Sequence, residues 1–193
     1  MSLRAKVVLF IVLIAFSANG FSQSTEKDSL VNLLSRVKGD EKLKILYKLS
    51  DITSDSDEAI KYADEAIGVA KKINENALVD AYDNLGFVYY NQNNDEKALE
   101  NFNKSLALSR KIGYHKGSLN ALNRLMQIYF YIDSLDKSKS FANQLLPKAE
   151  EVDSFRYQAS ALLQIGMIHR TIGTVDSALL CINKALLLYQ KID

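Results

Sequence analysis

The chain has 193 residues, which is enough for one ordinary domain or a short array of repeats. Hydrophobic residues make up 48% and charged residues 24%, a globular balance that excludes an intrinsically disordered chain. The formal net charge is only +1, and there is one proline and no tryptophan. Helix breakers are therefore scarce, and the composition predicts a mostly helical protein.

The first 22 residues have the pattern of a secretory signal peptide. Two basic residues precede an apolar run at 7–16, and a small, polar stretch follows it. The run is too short to span a bilayer, which needs about 20 residues. We predict cleavage after Ser22, with Gly20 as a second choice, so that the mature chain is exported, periplasmic or secreted, and has no membrane span. An uncleaved signal anchor is the alternative.

Removal of the signal peptide changes the net charge, and export to an oxidising compartment raises the question of disulfides. Without Arg4 and Lys6 the 24 basic residues fall to 22, against 23 acidic ones. A chain with no basic surplus has little to hold phosphates, so we expect no nucleic-acid partner. Cys181 is alone and cannot form an internal disulfide, and its apolar neighbours predict a small buried side chain.

Self-similarity along the chain predicts four repeats. The residues at 103–112, N-K-S-L-A-L-S-R-K-I, match those at 183–192, N-K-A-L-L-L-Y-Q-K-I, at an offset of 80. A related segment at 143–152 lies midway between these two, 40 residues from each. Another, at 64–73, precedes the segment at 103–112 by 39 residues. The resulting units of about forty residues are 41–74, 75–113, 114–153 and 154–193.

Each unit contains two amphipathic runs with apolar residues at i, i+3, i+4 and i+7. No run alternates with period two for long enough to form a strand, so the predicted fold is all-α. A further helix at 28–37, within the segment 23–40, is expected to cap the N-terminal face of the units. Asp95, Ser134 and Asp176 lie where N-caps are expected. The first amphipathic run of each unit, which we predict to be its first helix, lies at 41–53, 76–92, 116–132 and 155–172. The second run lies at 56–73, 95–112, 135–152 and 176–192.

The second unit contains L-G-x-x-Y at 85–89, followed by A-x-x-x-F at 98–102. These motifs match the tetratricopeptide signature, and the chain resembles an array of such repeats over 41–192, in the variety with forty-residue units. The fourth unit keeps Gly166, whereas the third has Met126 at the glycine position. The resemblance implies a right-handed α-solenoid of stacked antiparallel helix pairs, in which the glycine lets the second helix approach the first closely.

The layout of signal peptide, N-terminal helix and repeats is also similar to the exported N-terminal region of sensor kinases and regulators in Bacteroidota-type bacteria. In those proteins the array is followed by a membrane span and a cytoplasmic signalling domain. This resemblance implies an alternative to a scaffold, namely a periplasmic sensor or input region whose ligand shifts a downstream domain.

The sequence carries little that suggests catalysis. It contains no P-loop, no G-x-G-x-x-G and no G-x-S-x-G. His115 falls in a turn and is expected to be solvated, and His169 takes a core position of a helix pair. Neither has enough ligands nearby for zinc, which needs three or four. We therefore expect no enzyme, no metal and no cofactor, and a small hydrolase is the least supported alternative.

By resemblance to the family, five positions of each first helix face the groove of the superhelix. Such a surface, with aromatic rings beside amides, suits recognition of an extended peptide or a helix of a partner protein. The implied groove residues are Asp80, Asp83, Phe87, Tyr90 and Asn91 in the second unit, Asn120, Asn123, Gln127, Phe130 and Tyr131 in the third, and Ser160, Leu163, Met167, Arg170 and Thr171 in the fourth.

Two features restrict the kind of partner. The Lys/Asn pattern with which some members of the family hold a C-terminal carboxylate is not reproduced, because Asp80 and Asp83 would repel that group. Phe87, Tyr90 and Phe130 could instead merely fill space between neighbouring first helices, which is the alternative to a binding role.

The last helix is more apolar than its equivalent in the second unit. Glu100, Asn101, Ala107 and Ser109 are replaced, eighty residues later, by apolar or aromatic side chains. An exposed apolar surface of this kind predicts an interaction, either with a second copy of the chain in a homodimer or with the next unit of a longer protein. The residues predicted for self-association are Leu180, Leu187 and Tyr189.

Overall fold

The computed structural model describes residues 26–192, so the predicted signal peptide at 1–22 lies outside the described residues. The described residues form helices joined by turns and contain no strand, and the all-α prediction is confirmed. The described residues are divided into two compact units, 26–73 and 74–192. The helices are α1 (26–34), α2 (Gly39–Ile52), α3 (Ser56–Ala70), α4 (Glu75–Asn91), α5 (Asp95–Lys111), α6 (His115–Tyr131), α7 (Leu135–Glu151), α8 (Phe155–Thr171) and α9 (Val175–Tyr189).

In the first unit, α2 and α3 form a helix pair with buried small and branched side chains. Leu46 and Leu49 of α2 are fully buried, as are Ala63 and Ala66 of α3. Alanine on one helix lets leucine on the other approach closely, which is how two short helices make a dense contact. Two ion pairs join the N-terminal helix α1 to this pair, between Lys27 and Glu58 and between Glu26 and Lys48.

In the second unit, three helix pairs are stacked. The two helices of each hairpin pack against each other, in α4–α5, α6–α7 and α8–α9. Successive hairpins are joined by contacts between α5 and α6 and between α7 and α8. The first helices α4, α6 and α8 also contact one another in sequence. This stacking buries one continuous core and makes the unit a helical-repeat solenoid. The largest fully buried side chains in it include Phe102, Leu122, Leu125, Met126, Ile128 and Leu145.

Gly86 lies where the two helices of the second repeat touch. A Cβ added to it would lie 2.7 Å from both Cδ1 and Cε1 of Phe102 and 3.3 Å from the carbonyl oxygen of Ala98. Gly166 has the same surroundings eighty residues later, with Ile182 Cγ1 at 2.8 Å. The glycines cost helix propensity, about 1 kcal/mol each against alanine. In return, a large side chain of the second helix lies directly against the first helix.

The third repeat makes the same contact with different chemistry. Met126 replaces the glycine and is fully buried. Ser138, at the position of Ala98, donates a hydrogen bond from its hydroxyl to the carbonyl oxygen of Met126, over 2.8 Å. A buried hydroxyl needs such a partner. The hydrogen bond therefore joins α6 to α7 where the second and fourth repeats have the glycine contact.

The predicted N-caps of the second helices are partly wrong. The N-cap of α5 is Asn94, whose side chain accepts a hydrogen bond from the Lys97 amide, and Asp95 is the first helical residue. The N-cap of α9 is Thr174, two residues before Asp176. Ser134 is the N-cap of α7, but its side chain makes no capping hydrogen bond. The left-handed turn residue just before each cap fixes these starts, and the apolar period does not record it.

The helices and the turns of the second compact unit have regular lengths. The five helices α4 to α8 each contain 17 residues, and the turns between consecutive helices, up to the start of α9, contain three. Each turn has one residue with positive φ, between 51° and 80°. Glycine adopts this conformation freely, and Asn and Asp tolerate it better than other residues do. These residues are Asn93, Gly113, Asp133, Asp153 and Gly173, at intervals of twenty.

Candidate functional site

The predicted groove residues lie on α4, α6 and α8, which are neighbouring helices that run in the same direction. Tyr114, just before α6, contacts Asp80 near the start of α4. At the other end, the rings of Tyr90 and Tyr131 meet edge to face with centroids 6.1 Å apart. We call the surface that carries the groove positions of α4, α6 and α8 the first-helix face.

Between α6 and α8, the predicted groove amides are used as hydrogen-bond partners for the next helix. The hydroxyl of Tyr157 donates to Oδ1 of Asn120. The hydroxyl of Ser160 donates to Oδ1 of Asn123, over 2.6 Å. Both asparagines are half-buried. In this half of the face, the amides that were predicted to bind a partner hold two helices of the array together.

Between α4 and α6, an arginine that sequence reasoning did not single out has the central place. The Arg124 guanidinium lies 4.4 Å from the centroid of the Phe87 ring, within the range of a cation–π contact. Its Nε lies 3.9 Å from Oδ2 of Asp83. A carboxylate predicted on the inner face of α4 needs a cation nearby, and this requirement was the signal that could have identified Arg124.

Asp83 is the most perturbed carboxyl of this face. Its side chain is 16% exposed, and Oδ1 is buried without a hydrogen-bond partner among the described residues. Burial raises the pKa of Asp83 to about 6, against the attraction of Arg124, and the charge of Asp80 adds to the increase. Burial also raises the pKa of Asp80, which accepts a hydrogen bond from the Tyr114 hydroxyl over 3.3 Å. The charged form of Asp83 is therefore poorly compensated.

The C-terminal halves of the same helices present a more exposed surface. Tyr131 is 63% exposed, Gln127 is exposed, and Phe130 and Tyr90 are half-buried. Tyr90, Arg124 and Gln127 also line a small cleft together with core side chains. One helix further on, Met167 is half-buried and Arg170 exposed. We call this surface the aromatic patch, defined by Tyr90, Gln127, Phe130, Tyr131, Met167 and Arg170.

The remaining groove positions lie at the edges. Asn91 and Thr171 are exposed at the ends of α4 and α8, and Leu163 is half-buried. The Thr171 hydroxyl donates to the carbonyl oxygen of Met167, over 3.0 Å, so it is used within its own helix. The groove positions implied by the resemblance therefore form two groups. Some, such as Asn120 and Asn123, bond to the neighbouring helix, and others, such as those of the aromatic patch, remain accessible.

The histidines have ordinary surroundings. His115 is exposed at the start of α6, and His169 is half-buried with Nδ1 2.7 Å from the Thr174 hydroxyl. Among the described residues, no group of three or more His, Cys, Asp or Glu side chains is placed to hold a metal ion. Within the same residues, no helix combines the length and apolarity that crossing a bilayer requires.

The final helix pair carries a second accessible surface. Leu180 and Leu187 of α9 are 57% and 60% exposed, and Leu179 and Leu186 are equally exposed at 54% each. The structure does not place the three predicted self-association residues together. Tyr189 lies nine residues after Leu180, and at about 100° per residue this is the opposite side of the helix.

A family model and solved structures agree with this architecture. The model of the tetratricopeptide repeat matches residues 52–111 and 78–151, which together are more than half of the chain. The chain therefore belongs to the tetratricopeptide repeat family. No curated protein matches the sequence.

Three solved structures illustrate the likeness of fold. BtubC (BKLC) from P. vanneervenii is 19% identical with a TM-score of 0.73, over 88% of this chain and 72% of that one. Aspartyl phosphate phosphatase F from Bacillus subtilis is 16% identical with a TM-score of 0.74, over 89% and 50%. A Rap protein complexed with Competence and Sporulation Factor is 14% identical with a TM-score of 0.64, over 89% and 59%. The chain thus spans about half the length of the phosphatase.

Proposed function

We propose that this chain is an exported helical-repeat scaffold that holds a segment of a protein or peptide against the aromatic patch, without catalysis. The observation that carries the proposal is the exposure of Tyr131 beside Tyr90, with the exposed amide of Gln127 one turn earlier on α6. Aromatic side chains that are rigid and partly exposed are the usual anchors of protein interfaces. A scaffold needs such anchors and no reacting group.

The division of the first-helix face supports an extended peptide or a helix as the occupant. The polar contacts at Asn120 and Asn123 fix the spacing of α6 and α8, so the patch beyond them is held in one arrangement before any partner arrives. Preorganisation of this kind lowers the entropic cost of binding. The Rap protein of similar fold is complexed with Competence and Sporulation Factor, so a fold of this kind can carry a separate molecule.

Tyr131→Ala is expected to weaken peptide binding by more than about 1 kcal/mol, which is at least fivefold in Kd. Peptides would be selected from a displayed random library on the purified chain, and their affinity measured by fluorescence anisotropy. Tyr131 is the best probe because most of its surface is exposed, whereas Tyr90 packs against the core. Tyr189→Ala, on α9, is the matched control. Selected peptides that bind both variants equally would contradict the proposal.

Export is part of the proposal and has its own test. The protein recovered from the periplasm or the medium is expected to begin at Gln23, since the small residues Gly20 and Ser22 suit a signal peptidase. N-terminal sequencing of the native protein measures this directly. An intact N-terminus starting at Met1 in the membrane fraction would favour the uncleaved anchor instead.

A sensor input region is the second candidate, and it would use the same patch for a peptide or small molecule. The two candidates differ in what the gene encodes in frame after Asp193. A membrane span followed by a kinase or DNA-binding region would favour the sensor.

A further inference from the structure

The outward side of α9 carries a stripe of side chains that is distinct from the rest of its apolar surface. Asp176, Leu180, Leu187 and Lys191 are spaced so that each lies within about 60° of the others around the helix. Lys191 lies in the turn that closes α9, where its amide bonds to the carbonyl oxygen of Leu188 three residues earlier, so it stays close to the end of the helix. We call these four residues the outer stripe.

A further repeat stacked on α9 would not cover the outer stripe. Leu186 corresponds to Leu106 of α5, which α6 covers to leave it 5% exposed. Leu180 and Leu187 correspond instead to Glu100 and Ala107, which stay exposed although α6 is present. The equivalent residues of α7, Ser140 and Pro147, are exposed as well. The two leucines therefore lie on a side of the helix that the array leaves open.

The side facing a further repeat also differs from that of the inner repeats. Ser109 of α5 and Ala149 of α7 are small and fully buried, and the Ser118 hydroxyl of α6 donates to the Ser109 hydroxyl over 2.9 Å. At the same position α9 has Tyr189, which is 38% exposed. A helix packed as α6 packs on α5 would meet this ring.

The outer stripe is self-complementary when read in the reverse direction. The midpoint between Leu180 and Leu187 is also the midpoint between Asp176 and Lys191. If two such helices lay antiparallel about a two-fold axis at this midpoint, each Leu180 would face a Leu187, and each Asp176 would face a Lys191. A two-fold interface requires this relation between a patch and itself.

We infer that the outer stripe is the contact for a second copy of this chain, in an antiparallel α9–α9 homodimer. The two leucine pairs supply the apolar contact on either side of the axis, and the two pairs of opposite charge set the direction of the helices. Such pairs act mainly on orientation and specificity. Lys191 is held beside the stripe by the ring of Phe155, whose centroid lies 5.1 Å from its ammonium nitrogen.

Sedimentation of the mature chain, which begins at Gln23, is expected to show a dimer, and Leu180→Glu with Leu187→Glu is expected to make it a monomer with unchanged helical circular dichroism. Leu186→Glu is the matched control, because that leucine is as exposed but lies outside the stripe. It should leave the dimer intact. A parent chain that is monomeric at 100 µM would overturn the inference. So would a dimer that Leu186→Glu dissociates while the stripe variant does not.

Charge reversal tests the antiparallel direction. Asp176→Lys should weaken the dimer by about tenfold, since it places two cations together. Asp176→Lys combined with Lys191→Asp should restore the parent affinity. A double variant no tighter than the single one would overturn the antiparallel pairing.

Discussion

Gly86→Leu is expected to lower the free energy of unfolding by about 1–3 kcal/mol, the usual cost of overpacking a filled core. The new Cβ alone would lie 2.7 Å from two carbons of Phe102, and that ring is fully buried. Its core packing resists displacement, so α4 and α5 are expected to move apart. For a chain of this length the melting temperature should fall by several degrees, at roughly 2–4 °C per kcal/mol.

Gly68→Leu is the matched control for this experiment. Gly68 also lies inside a helix, α3, but a Cβ added to it would meet no atom within 4 Å. The better helix propensity of leucine should make this variant as stable as the parent or more stable, by up to about 1 kcal/mol. If both variants melt with the parent, Gly86 does not lie at a helix contact.

A double-mutant cycle identifies the partner of Gly86. Gly86→Ala should destabilise the parent but stabilise a Phe102→Ala background, because the obstructing ring has gone and the gain in helix propensity remains. Phe102→Ala by itself should cost about 3–5 kcal/mol, as deletion of a buried ring usually does. A Gly86→Ala effect that is the same in both backgrounds would mean that another group excludes the methyl.

Asp83→Asn is expected to stabilise the protein above pH 6. The pKa of Asp83 is about 6 in the folded chain, against 3.8 for an ordinary aspartate. Between these values the folded protein keeps a proton that the unfolded chain has released, so stability falls as the pH rises through this window. Above it the ionised carboxylate costs about 3 kcal/mol, which the uncharged amide avoids.

Denaturant unfolding at pH 4 and pH 7.5 checks this prediction. The advantage of the asparagine variant should be large at pH 7.5 and much smaller at pH 4, where Asp83 is protonated in the folded chain and still partly protonated in the unfolded chain. Asp64→Asn removes the same charge from an exposed position of α3 and serves as the control. An advantage of Asp83→Asn that is equal at both pH values would show that burial of the charge is not its cause.

The cost of Asp83 is notable because of its position. The carboxylate lies on the first-helix face, beside Arg124 and Phe87, where the resemblance to the family implies a ligand. Natural chains commonly retain a destabilising residue where activity requires it. A stabilised Asp83→Asn variant that also binds the selected peptides less well would connect this charge to recognition.

The fold could be predicted from the sequence because its main determinants repeat. Gly86 and Phe102 are separated by the same number of residues as Gly166 and Ile182. Periodic apolar residues indicate where the helices lie. The N-cap of α5 was predicted less well: it is Asn94 and not Asp95, because the left-handed residue Asn93 just before it sets the turn. The spacing of apolar residues within a helix does not record which turn residue is left-handed.

The candidate site was harder to predict. Which groove residues remain accessible depends on the contacts between α4, α6 and α8, and one sequence does not show how neighbouring helices are aligned. Asn123 and Gln127 lie on one side of α6, yet one bonds to Ser160 and the other is exposed. Arg124 was missed for the same reason, because its role appears only when α6 lies against Asp83.

The interval of twenty residues between left-handed turns makes each helix pair an interchangeable module. Loss or duplication of one whole module, such as 114–153, would leave every other helix with the same hairpin partner and the same direction. Loss of a single helix and its turn would instead reverse the direction of all helices that follow. The equal lengths of α4 to α8 thus restrict tolerated gene rearrangements to whole helix pairs, which is how an array of this kind can change its length without redesign.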